Sequence, residues 1–269
     1  MSASALPSVR GEAVYAYTGA RPFDPAQPTM VFVHGAANDH SVWALQSRYF
    51  AHHGRNVLAV DLPGHGRSGG AALGSVEAIG DWIIDLLDAA GVKQAALVGH
   101  SMGSLAVLAA AGRHPERVTR LAFLGPAVPM PVSEALLDAA RANDHAAYEL
   151  INGWSFSAGR ALGGNTVPGM WLTGTAMRLM ERTLPGVLAI DLNACNTYAG
   201  GLDAAAAVRA PALVVIAARD LMAPPKSAQG LIDALGTKRV VTLPDCGHAL
   251  MAEQPDAVLD ALAAFHNPA

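Results

Sequence analysis

A serine hydroxyl attacks a carbonyl at neutral pH only when a histidine takes its proton, and the histidine serves only when a carboxylate orients it. The sequence supplies candidates for all three, in a usable order. Ser101 sits in Val98-Gly99-His100-Ser101-Met102-Gly103, between a short apolar run and a helical pattern. This is the G-x-S-x-G arrangement of a nucleophile elbow, a sharp strand-to-helix turn that strains the serine backbone and lifts its hydroxyl clear of a sheet. Gly99 and Gly103 flank it because a Cβ at either place would meet the crossing backbone. With glycine and serine each near 7% of residues, chance alone gives the pattern in about one chain in ten of this length, so the flanking elements carry the weight. Further on, Asp220 follows the apolar run Ala212 to Ala217, and His248 closes Asp245-Cys246-Gly247-His248 after the next such run. Asp245 is the competing acid, but from the same loop it would have to fold back to reach the outer nitrogen of His248. The order Ser101, Asp220, His248 favours Asp220.

An attacked carbonyl also needs donors for the oxyanion that forms. One is the N–H of the residue after the nucleophile, Met102, and the other comes from the loop after an early strand. His34-Gly35-Ala36-Ala37 follows the run Met30 to Val33 and makes the Ala36 N–H that second donor. His34 and His100 read as structural neighbours of the site, and Cys246 as a small buried residue. Ten histidines show no ligand spacing, so no metal is expected. Gly64-His65-Gly66-Arg67-Ser68-Gly69 fits a dinucleotide fingerprint by letter, but no helix opens there and no second strand end carries the required acid. A tight turn beneath the site is the better reading, and no cofactor is expected.

These residues need a scaffold. Apolar runs at Met30 to Val33, Asn56 to Val60, Ala95 to Val98 and Val118 to Leu124 alternate with helical patterns at Ser41 to His53, Ser75 to Ala90 and Met102 to Arg113. Such alternation feeds a parallel sheet flanked by helices, an α/β class. Ala13 to Thr18 alternates poorly and reads as an antiparallel edge strand. The pattern lapses from Ala127 to Val208, where helical stretches are broken at Gly153, Gly163-Gly164, Pro168-Gly169 and Pro185-Gly186. It resumes with strands Ala212 to Ala217 and Arg239 to Leu243 and helices Lys226 to Leu235 and Gln254 to Phe265. The interruption reads as a helical lid, giving a core of residues 1–126 and 209–269 and a cap of 127–208. Within the cap, Trp154, Trp171 and Tyr198 are candidate substrate contacts, as is Met222 beside Asp220. Its arginines Arg141, Arg160, Arg178 and Arg182 read as solvated, with a clamp on a substrate carboxylate by one of them as the alternative.

Composition narrows the class. Of 269 residues 52% are hydrophobic and 15% charged, which excludes a disordered chain. With 18 basic against 22 acidic side chains the net charge is −4, a poor surface for nucleic acid. Two cysteines make no disulfide framework, the N-terminus shows no basic-then-apolar signal, and no apolar run approaches membrane-spanning length. A cytoplasmic location and a small-molecule substrate are expected, with a homodimer left open as the one macromolecular partner.

Taken together, His34-Gly35, Trp43, Asp61-Leu62-Pro63-Gly64-His65-Gly66-Arg67-Ser68, the Gly99 to Gly103 elbow, Asp220 and Gly247-His248 resemble the α/β-hydrolase superfamily. The resemblance implies a mostly parallel sheet of about eight strands, a helical cap inserted after the sixth, and hydrolysis through an acyl-enzyme without a cofactor. Serine at the elbow sets the chain apart from relatives with aspartate there, the haloalkane dehalogenases and epoxide hydrolases. The expected activity is hydrolysis of a small to medium apolar carboxylic ester. Two alternatives remain: carbon–carbon bond hydrolysis of ring-cleavage products, whose enzymes carry tryptophan where this chain has Ala249, and a non-hydrolytic receptor on the same fold.

Overall fold

The computed structural model describes residues 8–24, 26–164 and 169–266. Of the helix interruption expected at Pro168-Gly169, Pro168 lies outside them, as do the first seven residues of the N-terminal stretch read for a secretory signal. Seven strands form one sheet: β1 (Ala16–Tyr17), β2 (Thr29–Val33), β3 (Asn56–Val60), β4 (Ala95–His100), β5 (Val118–Leu124), β6 (Ala212–Ala217) and β7 (Lys238–Leu243), in the order β1-β3-β2-β4-β5-β6-β7. Only β1 runs antiparallel, pairing Ala16 with Val60. Seven strands among the described residues agree roughly with the eight expected, and the helical insertion follows the fifth of them, where the expectation had the sixth.

The interior strands are buried on both faces, which is why they read as unbroken apolar runs. Alternate side chains separate two cores. Val31, Val33, Leu97, Leu121, Phe123 and Val214 pack on one side with helices α2 (Val76–Ala89) and α3 (Met102–Arg113). Phe32, Ala59, Val98, Leu124, Val215 and Ala217 face the other side, against Trp43, Phe50, Val258 and Leu262. The edge strand β7 is mostly exposed and begins with Lys238 and Arg239, charges that discourage pairing with another chain. Ser75 caps α2 by accepting from the Ala78 N–H at 3.2 Å, as its sequence position anticipates.

The segment between β5 and β6 is helical: α4 (Glu134–Arg141), α5 (Ala146–Ser155), α6 (Ala158–Ala161), α7 (Leu172–Met180), α8 (Val187–Thr197) and α9 (Gly201–Ala207). Leu136, Leu137, Ile151, Met180, Leu188 and Leu192 give it a core of its own. The far end of α8 and all of α9 turn back to the sheet side, where Ala204 lies so close to Gly112 that a Cβ on the glycine would fall 2.8 Å from it.

The elbow is the tightest crossing in the fold. A Cβ on Gly99 would sit 2.2 Å from the Gly103 carbonyl oxygen, and one on Gly103 would sit 2.3 Å from that of Val33. Both neighbours are backbone and cannot swing aside. Gly103→Ala is therefore expected to cost about 3 kcal/mol or more of stability, read as a lower urea midpoint, whereas Gly153→Ala, with open space around it, should move the midpoint little.

Candidate active site

Ser101, Asp220 and His248 follow the carboxyl ends of β4, β6 and β7, the edge where open α/β sheets assemble their sites. Ser101 takes φ 53° and ψ −120°, a strained conformation for a residue with a Cβ, and its amide donates to the Leu124 carbonyl at 3.0 Å. Its hydroxyl makes no capping bond with α3. It stands on a cavity of about 700 Å³, whose wall it shares with His248, His100, Gly35 and Ala36.

His248 is oriented from behind. Its Nδ1–H donates to Asp220 Oδ2 at 2.7 Å, while Asp220 Oδ1 accepts from the N–H groups of Met222 and Ala223 at 2.8 and 2.7 Å. A carboxylate gripped by two amides has one free oxygen, and that oxygen fixes the ring tautomer. Nε2 of His248 is buried with no hydrogen-bond partner among the described residues, Ser101 included. Apo sites of this kind commonly tighten only when substrate arrives. The competing acid turns away: Asp245 pairs with Arg219 at 2.6 Å, both exposed.

Neighbouring histidines serve as scaffolding. His100 Nε2 donates to the His248 carbonyl at 2.9 Å, and burial pushes its pKa down to about 3, so the ring is neutral. His34 donates through Nδ1 to the Gly35 carbonyl and accepts the Leu62 N–H at Nε2; burial brings it down to about 4. Cys246 is buried and its thiol is pushed up to about 12 by that burial, which makes it inert.

The Ala36 amide makes no hydrogen bond with a described residue, and the Met102 amide opens α3, where the first N–H groups lack intrahelical partners. The Met102 side chain itself is in the core. Of the four candidate contacts, Trp154 and Met222 line the cavity. Trp171 and Tyr198 do not. Trp171 is 71% exposed with its ring folded over Gly174, and Tyr198 packs into the core beside Gly201 and Val128. Helical spacing places residues on a common face without saying which face meets the cavity.

Three buried acids, Asp39, Asp191 and Glu253, escaped the sequence reading. Glu253 accepts from the amides of Ser157 and Gly247 at 3.1 and 3.0 Å and from Ser157 Oγ at 2.6 Å, lacing the His248 loop to the insertion. Asp191 of α8 accepts from the Ala37 amide and from His65. A lone acid among the apolar residues of 187–192 was the available signal for Asp191. The glycine-rich loop wraps Asp61, whose oxygens accept from the His40 ring at 2.7 Å and the Arg67 amide at 2.9 Å; a Cβ on Gly66, at φ 50°, would fall 2.3 Å from that carboxylate. Asp39, His40 and Asp61 cluster closely among the described residues.

The fold agrees with that of known proteins the chain resembles. A model of the alpha/beta hydrolase family matches residues 30–261, and the chain belongs to that family. A pimeloyl-[acyl-carrier protein] methyl ester esterase from Aromatoleum aromaticum is 29% identical over 248 residues, covering 86% of this chain and 94% of that protein. A dihydrolipoyllysine-residue acetyltransferase component of an acetoin cleaving system from Pseudomonas putida is 37% identical over 99 residues, and there the match spans only 26% of the relative's length and 36% of this chain. Among solved structures, an enol-lactonase from Burkholderia xenovorans superposes with a TM-score of 0.84 at 25% identity over 96% of this chain and 98% of the other. Several of the relatives are named as hydrolases, among them an (E)-2-((N-methylformamido)methylene)succinate hydrolase from Acinetobacter baylyi besides the esterase and the enol-lactonase. No helix among the described residues is long and apolar enough to cross a membrane.

Proposed function

We propose that the protein is a serine hydrolase of uncharged carboxylic esters or lactones. Ser101 Oγ attacks the acyl carbon as His248 Nε2 takes its proton, and Asp220 holds the imidazolium that results. The tetrahedral oxyanion rests on the N–H groups of Ala36 and Met102. Collapse expels the alkoxide, which leaves as the alcohol with the proton from His248, and water then releases the acid from the acyl-serine by the same steps. One observation carries this reading: a buried histidine with its outer nitrogen fixed by Asp220 and its inner nitrogen unpartnered, on the wall of a cavity it shares with a strained serine.

The cavity wall supports the substrate class. Among the described residues that line it none is Asp, Glu, Lys or Arg, and Leu136, Ile151, Leu172, Leu179 and Met180 form much of the insertion's share of it, consistent with residues 127–208 acting as a cap. A carboxylate carried into this space would be stripped of water with nothing to pair it. The diacids of carbon–carbon hydrolases fit poorly on that ground. Gln46 Nε2 and Asn152 Oδ1, buried on the wall without partners among the described residues, suit a second, uncharged polar group on the substrate. A hexanoyl ester should be turned over with kcat/KM about 100-fold above its ω-carboxylate analogue, since several kcal/mol of desolvation separates them. Equal values for the two would overturn the substrate assignment.

A further inference from the structure

The loop that carries the Ala36 donor does not hold itself. Ala37 is fully buried in the left-handed region at φ 53°, a conformation an alanine keeps only when its surroundings impose it. Both polar groups of Ala37 are taken by the helical insertion. Its N–H donates to Asp191 Oδ2 at 3.0 Å, and its carbonyl accepts from Thr183 Oγ1 at 3.2 Å. The Ala37 N–H belongs to the Ala36–Ala37 peptide, the plane next after the one bearing the Ala36 N–H. A rotation of that plane re-aims the donor before it.

Asp191 is 1% exposed, and a buried carboxylate needs a positive partner. His65, 4% exposed, provides it. Its Nε2 faces Asp191 Oδ2 at 2.8 Å and its Nδ1 faces the Pro63 carbonyl at 3.0 Å. Both neighbours are acceptors only, so both ring nitrogens carry protons. The other groups facing His65 are Asp61, which favours its charge, and His34, whose neutral ring lies 4.9 Å away between centroids. Burial opposes the imidazolium, but the charge and hydrogen bond of Asp191 outweigh it and raise the pKa of His65 above its ordinary 6.5.

We propose that Asp191, paired with a protonated His65, is a positioning residue: reaching from the insertion, it locks the Ala36–Ala37 peptide and so sets the aim of the Ala36 oxyanion donor. The inference rests on the hydrolase reading above. It makes the oxyanion hole a joint product of core and insertion, complete only while α8 is seated. It also assigns the His65 of the glycine-rich loop a purpose, as the counter-charge of a clasp.

The test compares Asp191→Ala, Asp191→Asn, Thr183→Val and His65→Gln with the unaltered protein. A p-nitrophenyl ester and a trifluoromethyl ketone, whose hemiketal oxyanion mimics the tetrahedral intermediate, report on the hole; thermal melts report the folded fraction. Asp191→Ala should lower kcat about 10- to 100-fold, less than outright loss of an oxyanion donor and in the range of an ångström of misplacement. KM should stay within about twofold, and the ketone should weaken in step with kcat. Asp191→Asn, which keeps an acceptor oxygen, should recover most of the loss, and Thr183→Val should show a milder version of it. A raised folded pKa means the clasp is complete below pH 6.5 and lost as pH rises through the folded value. The unaltered protein should therefore shed kcat on that alkaline limb while His65→Gln, a donor at every pH, should not. Unchanged kcat in folded Asp191→Ala, or, should that variant not fold, unchanged kcat in both Asp191→Asn across pH and Thr183→Val, would overturn the proposal. Full turnover by Ser101→Ala would instead strike the hydrolase reading and leave the clasp without an oxyanion to aim at.

Discussion

Replacing Ser101 by alanine should lower turnover of a p-nitrophenyl ester by about 10³-fold or more, with KM little altered. The substitution removes the attacking oxygen and nothing else, because the Ser101 hydroxyl caps no helix and its amide still donates to Leu124. What survives is the rate that the two donors and the binding cavity give to attack by water. Stability should hold or rise slightly, since the elbow strain at φ 53° belongs to the backbone and persists in alanine. Stopped assays on folded protein check both, and a variant with ordinary turnover would place the chemistry elsewhere.

Asp220→Asn should be nearly as damaging, by about 10³- to 10⁴-fold in kcat, while Asp245→Asn should change kcat less than about twofold. The asymmetry follows from where each oxygen goes. The amides of Met222 and Ala223 pin one oxygen of residue 220, so an asparagine keeps its carbonyl oxygen there and turns its NH₂ toward His248 Nδ1. That NH₂ can only donate. It forces the ring to carry its proton on Nε2, the nitrogen that must accept from Ser101. Asp245 has no such leverage, being tied to exposed Arg219. Steady-state kinetics of the two variants side by side would separate the acids, and equal losses would contradict the assignment.

The core of the fold was legible because its strands are buried on both faces and its helices have clear ends. β3, β5, β6 and α3 begin and end where the sequence places them, and Ser75 caps α2 as its position implies. The elbow was legible for a stereochemical reason: two backbone crossings near 2.2 Å admit only glycine at positions 99 and 103. The insertion was legible only as an interruption. Its helices are amphipathic against each other, the cavity and the core at once, so a stripe of large side chains does not declare its partner. Trp171 and Trp154 look alike in sequence, yet one faces solvent and the other the cavity. Asp191 and His65 lie 126 residues apart, and nothing local to either announces the other.

Reaction of the folded protein with a fluorophosphonate, followed by intact-mass and peptide-mass measurement, addresses the nucleophile with the fewest intervening assumptions. The activated hydroxyl should take up one phosphonyl group, on the peptide containing Ser101, and the Ser101→Ala variant should take up none. A well-folded sample that stays unlabelled, or an adduct on any other residue, would contradict the account.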